Sequence, residues 1–326
     1  MKAIVLPRHG GPQVLELQEI DRPEPADHEL LVRVIASGTN PVDAKLRQSA
    51  AWAGLTPPFV LGSDVSGVVE AVGASVKGFA VGDEVYYTPE IVGNTRGSYA
   101  EYNAVPASIA AHKPANLTHE EAASVPLAGG TAWEALVRRL RVRPGETVLV
   151  HGGAGGVGSF AVQIARAMGA RVLATASARN QGVLRSLGAD VAIDYASEDV
   201  AEVTRRETKG AGVDVVFDTA GGDNILRSIP VTRPSGRLAT ILTPAGTLAG
   251  LASRNQTLHG IFLGREAARL REMARAIELG HIRPLIDRVL PLERVAEAHE
   301  RLDSGHGAGK MVLAVGTRDQ GLGTRD

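Results

Sequence analysis

The sequence predicts an α/β protein in which a doubly wound parallel sheet follows a compact antiparallel β barrel or sandwich. Three observations predict it. Thr147-Val148-Leu149-Val150-His151 reads as a short buried strand and leads into Gly153-Ala154-Gly155-Gly156-Val157-Gly158. From about Glu120 onward, helical and buried-strand patterns alternate, which is the sequence form of βαβ units with helices on both faces of a sheet. Before that point the chain carries short β patterns broken by Gly and Pro, with alternating residues over 30–36 and a turn signal at Gly82-Asp83.

In chain order, strands are expected over 3–6, 15–19, 29–37, 65–72, 84–87 and 99–105, then a helix over 120–139. A strand over 147–150 precedes the glycines, and the helix after them places Phe160, Ile164, Ala167 and Met168 on one apolar face. Gly169-Ala170 ends that helix, and the strand 171–174 follows. Next come a helix over 181–187 and strands over 191–193, 213–217, 236–241 and 260–262. A helix over 266–279, a strand near Val289 and the segment 311–315 have no place in that sheet and are expected to return to the first domain. The polar, Gly-containing stretch 317–326 reads as a frayed tail.

Composition narrows the function classes. With 326 residues, 44% of them hydrophobic, and 38 glycines, the chain can bury a core large enough for two domains. A formal net charge of -1 without runs of like charge gives no footprint for nucleic acid or an anionic membrane, so small-molecule chemistry is favoured. Met1 to Leu6 followed by Pro7 is too short for a signal-peptide core, and no stretch approaches the ~18 apolar residues of a membrane span. A soluble, cytoplasmic protein is expected. The absence of cysteine removes disulfides, thiol nucleophiles, Fe–S clusters and thiolate zinc sites together. The nine histidines are scattered, with no i, i+4 pair or HExxH, so no metal site is expected.

The glycine turn is the first candidate site. Between a parallel strand and a helix, such a turn brings backbone N–H groups against a pyrophosphate, because no Cβ blocks the approach and the helix N-terminus carries partial positive charge. By itself GxGxxG is weak and also describes an ordinary tight turn. Here strand, turn, helix and second strand stand in the order a dinucleotide site requires.

Further residues carry a family resemblance. They are Asn40-Pro41-Val42-Asp43-Ala44-Lys45, the run from Gly62 to Gly73, Val81-Gly82-Asp83-Glu84-Val85, and Gly97-Ser98-Tyr99-Ala100-Glu101-Tyr102. To these add Ala154 to Gly158, Leu187-Gly188-Ala189-Asp190, Ile193-Asp194-Tyr195, and Gly309-Lys310-Met311-Val312. Over about residues 1–315 the chain resembles the zinc-independent quinone oxidoreductases of the medium-chain dehydrogenase/reductase superfamily, the group of ζ-crystallin and the plant enone oxidoreductases. The resemblance implies a GroES-like β-barrel substrate domain, discontinuous in sequence, around a Rossmann domain, with the active site in the cleft between them. The expected boundaries are 1–119 for the first GroES-like part, 120–263 for the Rossmann domain and 264–316 for the return. Zinc alcohol dehydrogenases of the same superfamily hold their metal in segments that read here Ser37-Gly38-Thr39-Asn40 and Leu61-Gly62-Ser63-Asp64, without Cys or His.

NAD-preferring Rossmann domains usually carry an acid at the end of the second strand, where it binds the ribose hydroxyls. Here that end reads Leu173-Ala174-Thr175-Ala176-Ser177-Ala178-Arg179. Ser177 and Arg179 could instead bind a 2′-phosphate, the guanidinium through charge-assisted bonds of roughly 1.5–3 kcal/mol each. NADPH is therefore the expected cofactor; the alternative makes Ser177 a helix cap and Arg179 a surface arginine. By resemblance Tyr195 lies along the adenosine phosphate edge, or is a rim tyrosine, and Thr131 lies near the nicotinamide, or is a small residue in a packed helix. Ile241, Leu242, Phe262 and Leu263 end sheet strands where ligands gather, and their backbones could hold the carboxamide. Lys310 is a phosphate candidate, equally explained as a solvated lysine.

Asn40, Pro41 and Asp43 read as N-cap, N1 and N3 of a helix. By resemblance this cap sits over the nicotinamide, where Asn40 could orient a substrate carbonyl. Lys45 stands where many quinone reductases of the family have Tyr and the enone-reducing members have Lys. Its ammonium could stabilise the enolate that develops when hydride reaches an enone, and could supply a proton; alternatively it lies on an exposed helix face. Trp52, Phe59 and residues between Tyr87 and Gly97 are expected, on family geometry, as pocket walls.

The expected function is NADPH-dependent reduction of quinones or α,β-unsaturated carbonyls without zinc. Alternatives are a zinc-free alcohol dehydrogenase, an enoyl-thioester reductase, or a non-catalytic NADPH-binding sensor or structural protein. No nucleic-acid or membrane partner is expected. By resemblance the chain forms a homodimer or homotetramer through sheet edges near 237–258.

Overall fold

A computed structural model describes residues 1–315, so the tail expected at 317–326 lies outside the described residues. Eight strands open the chain: β1 (Lys2–Leu6), β2 (Glu16–Glu19), β3 (Glu29–Gly38), β4 (Phe59–Val60), β5 (Val65–Val72), β6 (Glu84–Tyr87), β7 (Tyr102–Pro106) and β8 (Ala111–His112). Only one helix of two turns interrupts them, α1 (Pro41–Gln48), set off by Pro41 at its first position. β3 is the spine of this barrel. It pairs antiparallel with both β5 and β7, and its Leu30, Val32 and Val34 are buried.

The helix expected over 120–139 is broken. Pro126 has no N–H to donate to the preceding turn, so α2 (His119–Ala123) ends and α3 (Pro126–Trp133) restarts with the proline in its first turn. The chain continues without a break as a π-helical stretch, Glu134–Arg139.

The dinucleotide-side sheet comprises β9 (Thr147–His151), β10 (Arg171–Ala176), β11 (Val191–Asp194), β12 (Val213–Asp218), β13 (Thr232–Thr240) and β14 (Thr257–Gly260). Their order is β11-β10-β9-β12-β13-β14, and every pairing is parallel. The chain winds outward from β9 to β11 and then crosses to β12 on the other side of β9. The carboxyl edge of β9 is therefore the switch point at which ligands bind in open α/β sheets. The helix α4 (Gly156–Ala167) follows it, and burying its Phe160 contributes about 1.5–3 kcal/mol. The last strand sits three residues earlier than the pattern at 260–262 suggests. The helices α5 (Gln181–Ser186), α6 (Val200–Glu207), α7 (Asn224–Ser228) and α8 (Gly250–Ser253) connect the strands.

After β14 the chain forms α9 (Ala267–Glu278), β15 (Ile286–Pro291), α10 (Val295–Asp303) and β16 (Lys310–Ala314). The helix α9 meets the barrel at β6, where the Tyr86 hydroxyl donates to Leu270 O (2.5 Å). Its buried Leu270, Met273 and Ile277 share a core with α3 and α4, and Met273 lies against Gly129. The barrel sheet is re-entered at β15, which pairs with β16, and β16 lies antiparallel to β3. Among the described residues no helix is long and apolar enough to cross a membrane.

Candidate active site

The turn after β9 is fixed by its own backbone. Gly152, which the sequence reading passed over, takes φ +72°, a left-handed conformation that glycine adopts without a Cβ clash. The N–H groups of Gly152 and Gly153 donate to Thr175 Oγ1 (3.1 Å) and Thr175 O (2.9 Å), pinning the turn to β10. A Cβ on Gly158 would lie 2.1 Å from the Gly152 carbonyl oxygen, so only glycine lets α4 approach the turn this closely. The carbonyl of Ala154 accepts the Gly309 N–H (2.9 Å), and Gly155 is the N-cap. At the start of α4 the N–H groups of Gly156 and Val157 have no protein acceptor among the described residues, which leaves a helix N-terminus open to an anion. Below it, His151 is 3% exposed with Nε2 2.8 Å from Ser228 Oγ; burial holds its imidazole down at about 4, so it is neutral.

One cleft of about 1050 Å³ passes this turn, reaching the end of β10 on one side and the barrel on the other. At the β10 end stand Ser177, half-buried, and Arg179, exposed and without a carboxylate partner among the described residues. Tyr195 lies alongside, 56% exposed. Glu198 also lines the cleft, and its Oε2 accepts the Asp194 N–H (2.9 Å).

Nearer the middle, Thr131 lines the cleft, while its Oγ1 donates to Leu127 O within α3 (2.7 Å). Of the four strand-end residues, two have no free donor: the Leu242 N–H donates to Thr240 Oγ1 (3.1 Å), and the Ile241 N–H is directed at Asp218 O (3.4 Å). The N–H groups of Phe262 and Leu263 have no protein acceptor among the described residues, so they are the donors left for a carboxamide. Trp52 and Ile91 line the cleft. Phe59 does not: it is 4% exposed in the barrel core, and Tyr87 is fully buried with its hydroxyl donating to Asn103 Oδ1 (3.0 Å).

The barrel side corrects two expectations. Asn40 does cap α1, with Asp43 Oδ2 accepting its N–H (2.8 Å), but its side-chain amide is turned inward. Nδ2 donates to Ser63 Oγ (3.1 Å) and Asp64 Oδ2 (2.8 Å), while Oδ1 accepts from the Lys310 ammonium. Both amide hydrogens are used and the residue is 1% exposed, so no donor remains for a substrate carbonyl. Lys310 is likewise no phosphate ligand. Its ammonium donates to Thr39 O (2.8 Å), Asn40 Oδ1 and Asp64 Oδ2 (3.3 Å), while its stem lies under Gly156.

Behind Asn40 the donors run in one direction. Arg47 Nη1 donates to His299 Nδ1 (3.0 Å), which leaves Nε2–H directed at the Tyr99 hydroxyl (3.3 Å). Tyr99 in turn donates to Asp43 Oδ2 (3.0 Å), and Ser63 donates to Asp43 Oδ1 (2.7 Å). Burial pushes the Asp43 carboxyl up to about 6 against these bonds, and holds His299 down at about 3. Burial also pushes Asp64 up and Lys310 down, while their mutual attraction opposes both shifts. Lys45, in contrast, is exposed on α1 at the cleft rim. Sequence reading missed Asp64 and His299 because their partners lie far away along the chain.

The comparisons agree with this architecture. Residues 26–115 match the alcohol dehydrogenase GroES-like domain family, and residues 187–313 match a family described as zinc-binding dehydrogenase. The chain is 37% identical to the NADPH-dependent alkenal/one oxidoreductase, chloroplastic, of Arabidopsis thaliana, over 96% of this chain and 79% of that protein. It is 33% identical to the quinone oxidoreductase of Homo sapiens, over 97% of this chain and 98% of that protein. The chain belongs to the quinone and enone oxidoreductases of the medium-chain dehydrogenase/reductase superfamily. A solved structure titled an NAD-dependent alcohol dehydrogenase is 39% identical and superposes with a TM-score of 0.91, covering 97% of this chain and 100% of that one.

Zinc does not fit the medium-chain dehydrogenase site as it stands in this chain. The sequence has no cysteine, and among the described residues no group of three or more His, Asp or Glu side chains could hold a metal. Thr39 O, Asn40 Oδ1 and Asp64 Oδ2 converge on an ammonium, which would repel a second cation.

Proposed function

We propose that this chain is an NADPH-dependent reductase of quinones and α,β-unsaturated carbonyls that works without zinc. One observation carries the reading. A single cleft joins the end of β10, where Ser177 and Arg179 stand in place of an acid, the open N-terminus of α4, and a mostly apolar acceptor wall with Lys45 at its edge. The N–H groups of Gly156 and Val157 bind the pyrophosphate, Ser177 and Arg179 bind the 2′-phosphate, and Phe262 and Leu263 offer N–H donors to the carboxamide. When bound, NADPH supplies the hydride that reduces the conjugated acceptor. The Lys45 ammonium stabilises the negative charge that develops on the acceptor oxygen. Lys310 and Asp64 act indirectly, fixing Asn40 and closing the floor of the cleft to water.

The name of the Arabidopsis relative supports NADPH and an enone acceptor, and that of the human relative supports a quinone. The structural neighbour named for NAD and alcohols is the competing reading. An acceptor panel separates the two: NADPH oxidation is expected with small enones and quinones, and not with saturated ketones or enoyl thioesters. Reduction of NAD⁺ by simple alcohols, with no NADPH oxidation by any conjugated acceptor, would sink the proposal. We also propose a homodimer through the outer edge of β14, which has no strand neighbour among the described residues; a monomeric mass by light scattering would remove it.

A further inference from the structure

Arg265 is a buried cation without a matching anion. It lies between β14 and α9, where the chain crosses the cleft toward the barrel, and its side chain is 5% exposed. Nε donates to Pro89 O (3.3 Å) and Nη1 to Leu263 O. Its nearest carboxylate, Glu90 Oε2, is 3.9 Å from Nε on a side chain that is 55% exposed. A guanidinium has five N–H donors, so those on Nη2 and one on Nη1 have no protein acceptor among the described residues. Nη2, which has no protein acceptor, is not sealed off in the interior, and the residue lines the cleft.

The other deeply buried guanidiniums are paired differently. Arg47, 1% exposed, has Asp303 at 2.6 Å, and Arg269, 5% exposed, has Glu134 at 3.1 Å and Glu266 at 3.2 Å. A buried charge is costly until a counter-charge with hydrogen-bonding geometry meets it. A neutral carbonyl would satisfy one donor and leave the charge uncompensated, whereas a carboxylate matches the planar fork with two parallel bonds. Around Arg265 the cleft is lined by Ile91, Leu127, Phe262 and Leu263, with Lys45 at the rim and Lys310, already committed to Asp64, at the floor. The lining carboxylates, Glu198 and Asp223, lie toward the nucleotide end with Tyr195 and Asn224.

We propose that Arg265 is a specificity residue for acceptors that carry a carboxylate, the guanidinium binding that group while the conjugated carbonyl reacts. This inference rests on the conjugated-carbonyl reading above and names the substrate class: enones with an anionic tail. In the reaction the carbon–carbon double bond gains one hydride and one proton, NADPH becomes NADP⁺, and the carboxylate is unchanged.

The test uses a matched pair whose tail lies beyond the conjugated system, 6-oxohept-4-enoate and its carboxamide, with methyl vinyl ketone as an uncharged control. The wild-type protein is expected to show a kcat/KM for the carboxylate about tenfold or more above that for the amide, expressed mainly in KM. In Arg265→Gln that ratio falls to about one, and in Arg265→Lys, which keeps charge but not the fork, it is intermediate. A wild-type ratio of one or below overturns the inference, as do equal losses on both compounds in the Gln variant. A matching rise in KM for NADPH would place the guanidinium on a cofactor phosphate and also overturn it. Should Arg265→Gln fail to fold, the wild-type ratio and the Lys variant decide. If methyl vinyl ketone is inert as well, the conjugated-carbonyl reading fails, whereas turnover of the control without carboxylate preference removes Arg265 alone.

Discussion

Lys310→Met removes the cation that pairs with the buried Asp64 carboxylate. The two side chains are 4% and 0% exposed and stand 3.3 Å apart. Removing one partner of a buried pair costs about 3–5 kcal/mol, because the remaining charge stays desolvated. Asp64 keeps bonds from Asn40 Nδ2, Thr88 Oγ1 and the Leu127 N–H, which favours the lower end, about 3 kcal/mol. Asp64→Asn alone leaves the ammonium with two neutral acceptors and costs a similar amount. In Lys310→Met/Asp64→Asn neither charge is left, so the double variant should be less destabilised than the sum, with a coupling of about 2 kcal/mol. Urea melts of the four proteins, followed by fluorescence of Trp52 and Trp133, measure this directly. A cost below about 1 kcal/mol for Lys310→Met, or costs that add within about 0.5 kcal/mol, would refute the buried pair as described.

Arg179→Ala should raise KM for NADPH by about tenfold or more and leave KM for NADH unchanged, since charge-assisted bonds to a 2′-phosphate are worth about 1.5–3 kcal/mol each; an unchanged preference removes Arg179 from the site. Lys45→Ala should lower kcat with an enone about tenfold or more without altering KM for NADPH, and a full rate would return Lys45 to an ordinary surface position. Acid should destabilise the fold between about pH 6 and 4. His151 and His299 are held down at about 4 and 3, so over this window the unfolded chain binds two protons that the folded chain refuses; Asp43, raised to about 6, opposes them with one that the folded chain retains. The balance from these three groups is a loss of about 1 kcal/mol per pH unit on acidification, and a flat series of urea melts across that range contradicts it.

The sheet and the glycine turn were legible because their determinants are local: a run of buried β residues, then glycines at fixed spacing, then an apolar helix face. The break at Pro126 was equally local, but the helical pattern over 120–139 is continuous in hydrophobicity and concealed it. What the sequence did not disclose is pairing across distance. Asn40 reads correctly as a helix cap, yet its amide is committed to Lys310, 270 positions away, and to Asp64. Lys310 reads as a phosphate candidate or a solvated lysine because no neighbour in sequence indicates that Thr39, Asn40 and Asp64 surround it. Arg265 follows strand residues that were noticed, but its burial depends on Pro89 and Glu90 of the barrel.

The central claim is that the cleft reduces a conjugated double bond with hydride from NADPH. The most direct measurement is turnover of a simple enone with NADPH deuterated at the transferable position, followed by product analysis. A saturated ketone with deuterium at the β-carbon is the predicted result. An allylic alcohol with deuterium on the carbinol carbon, or no transfer of deuterium to any conjugated acceptor, would contradict it.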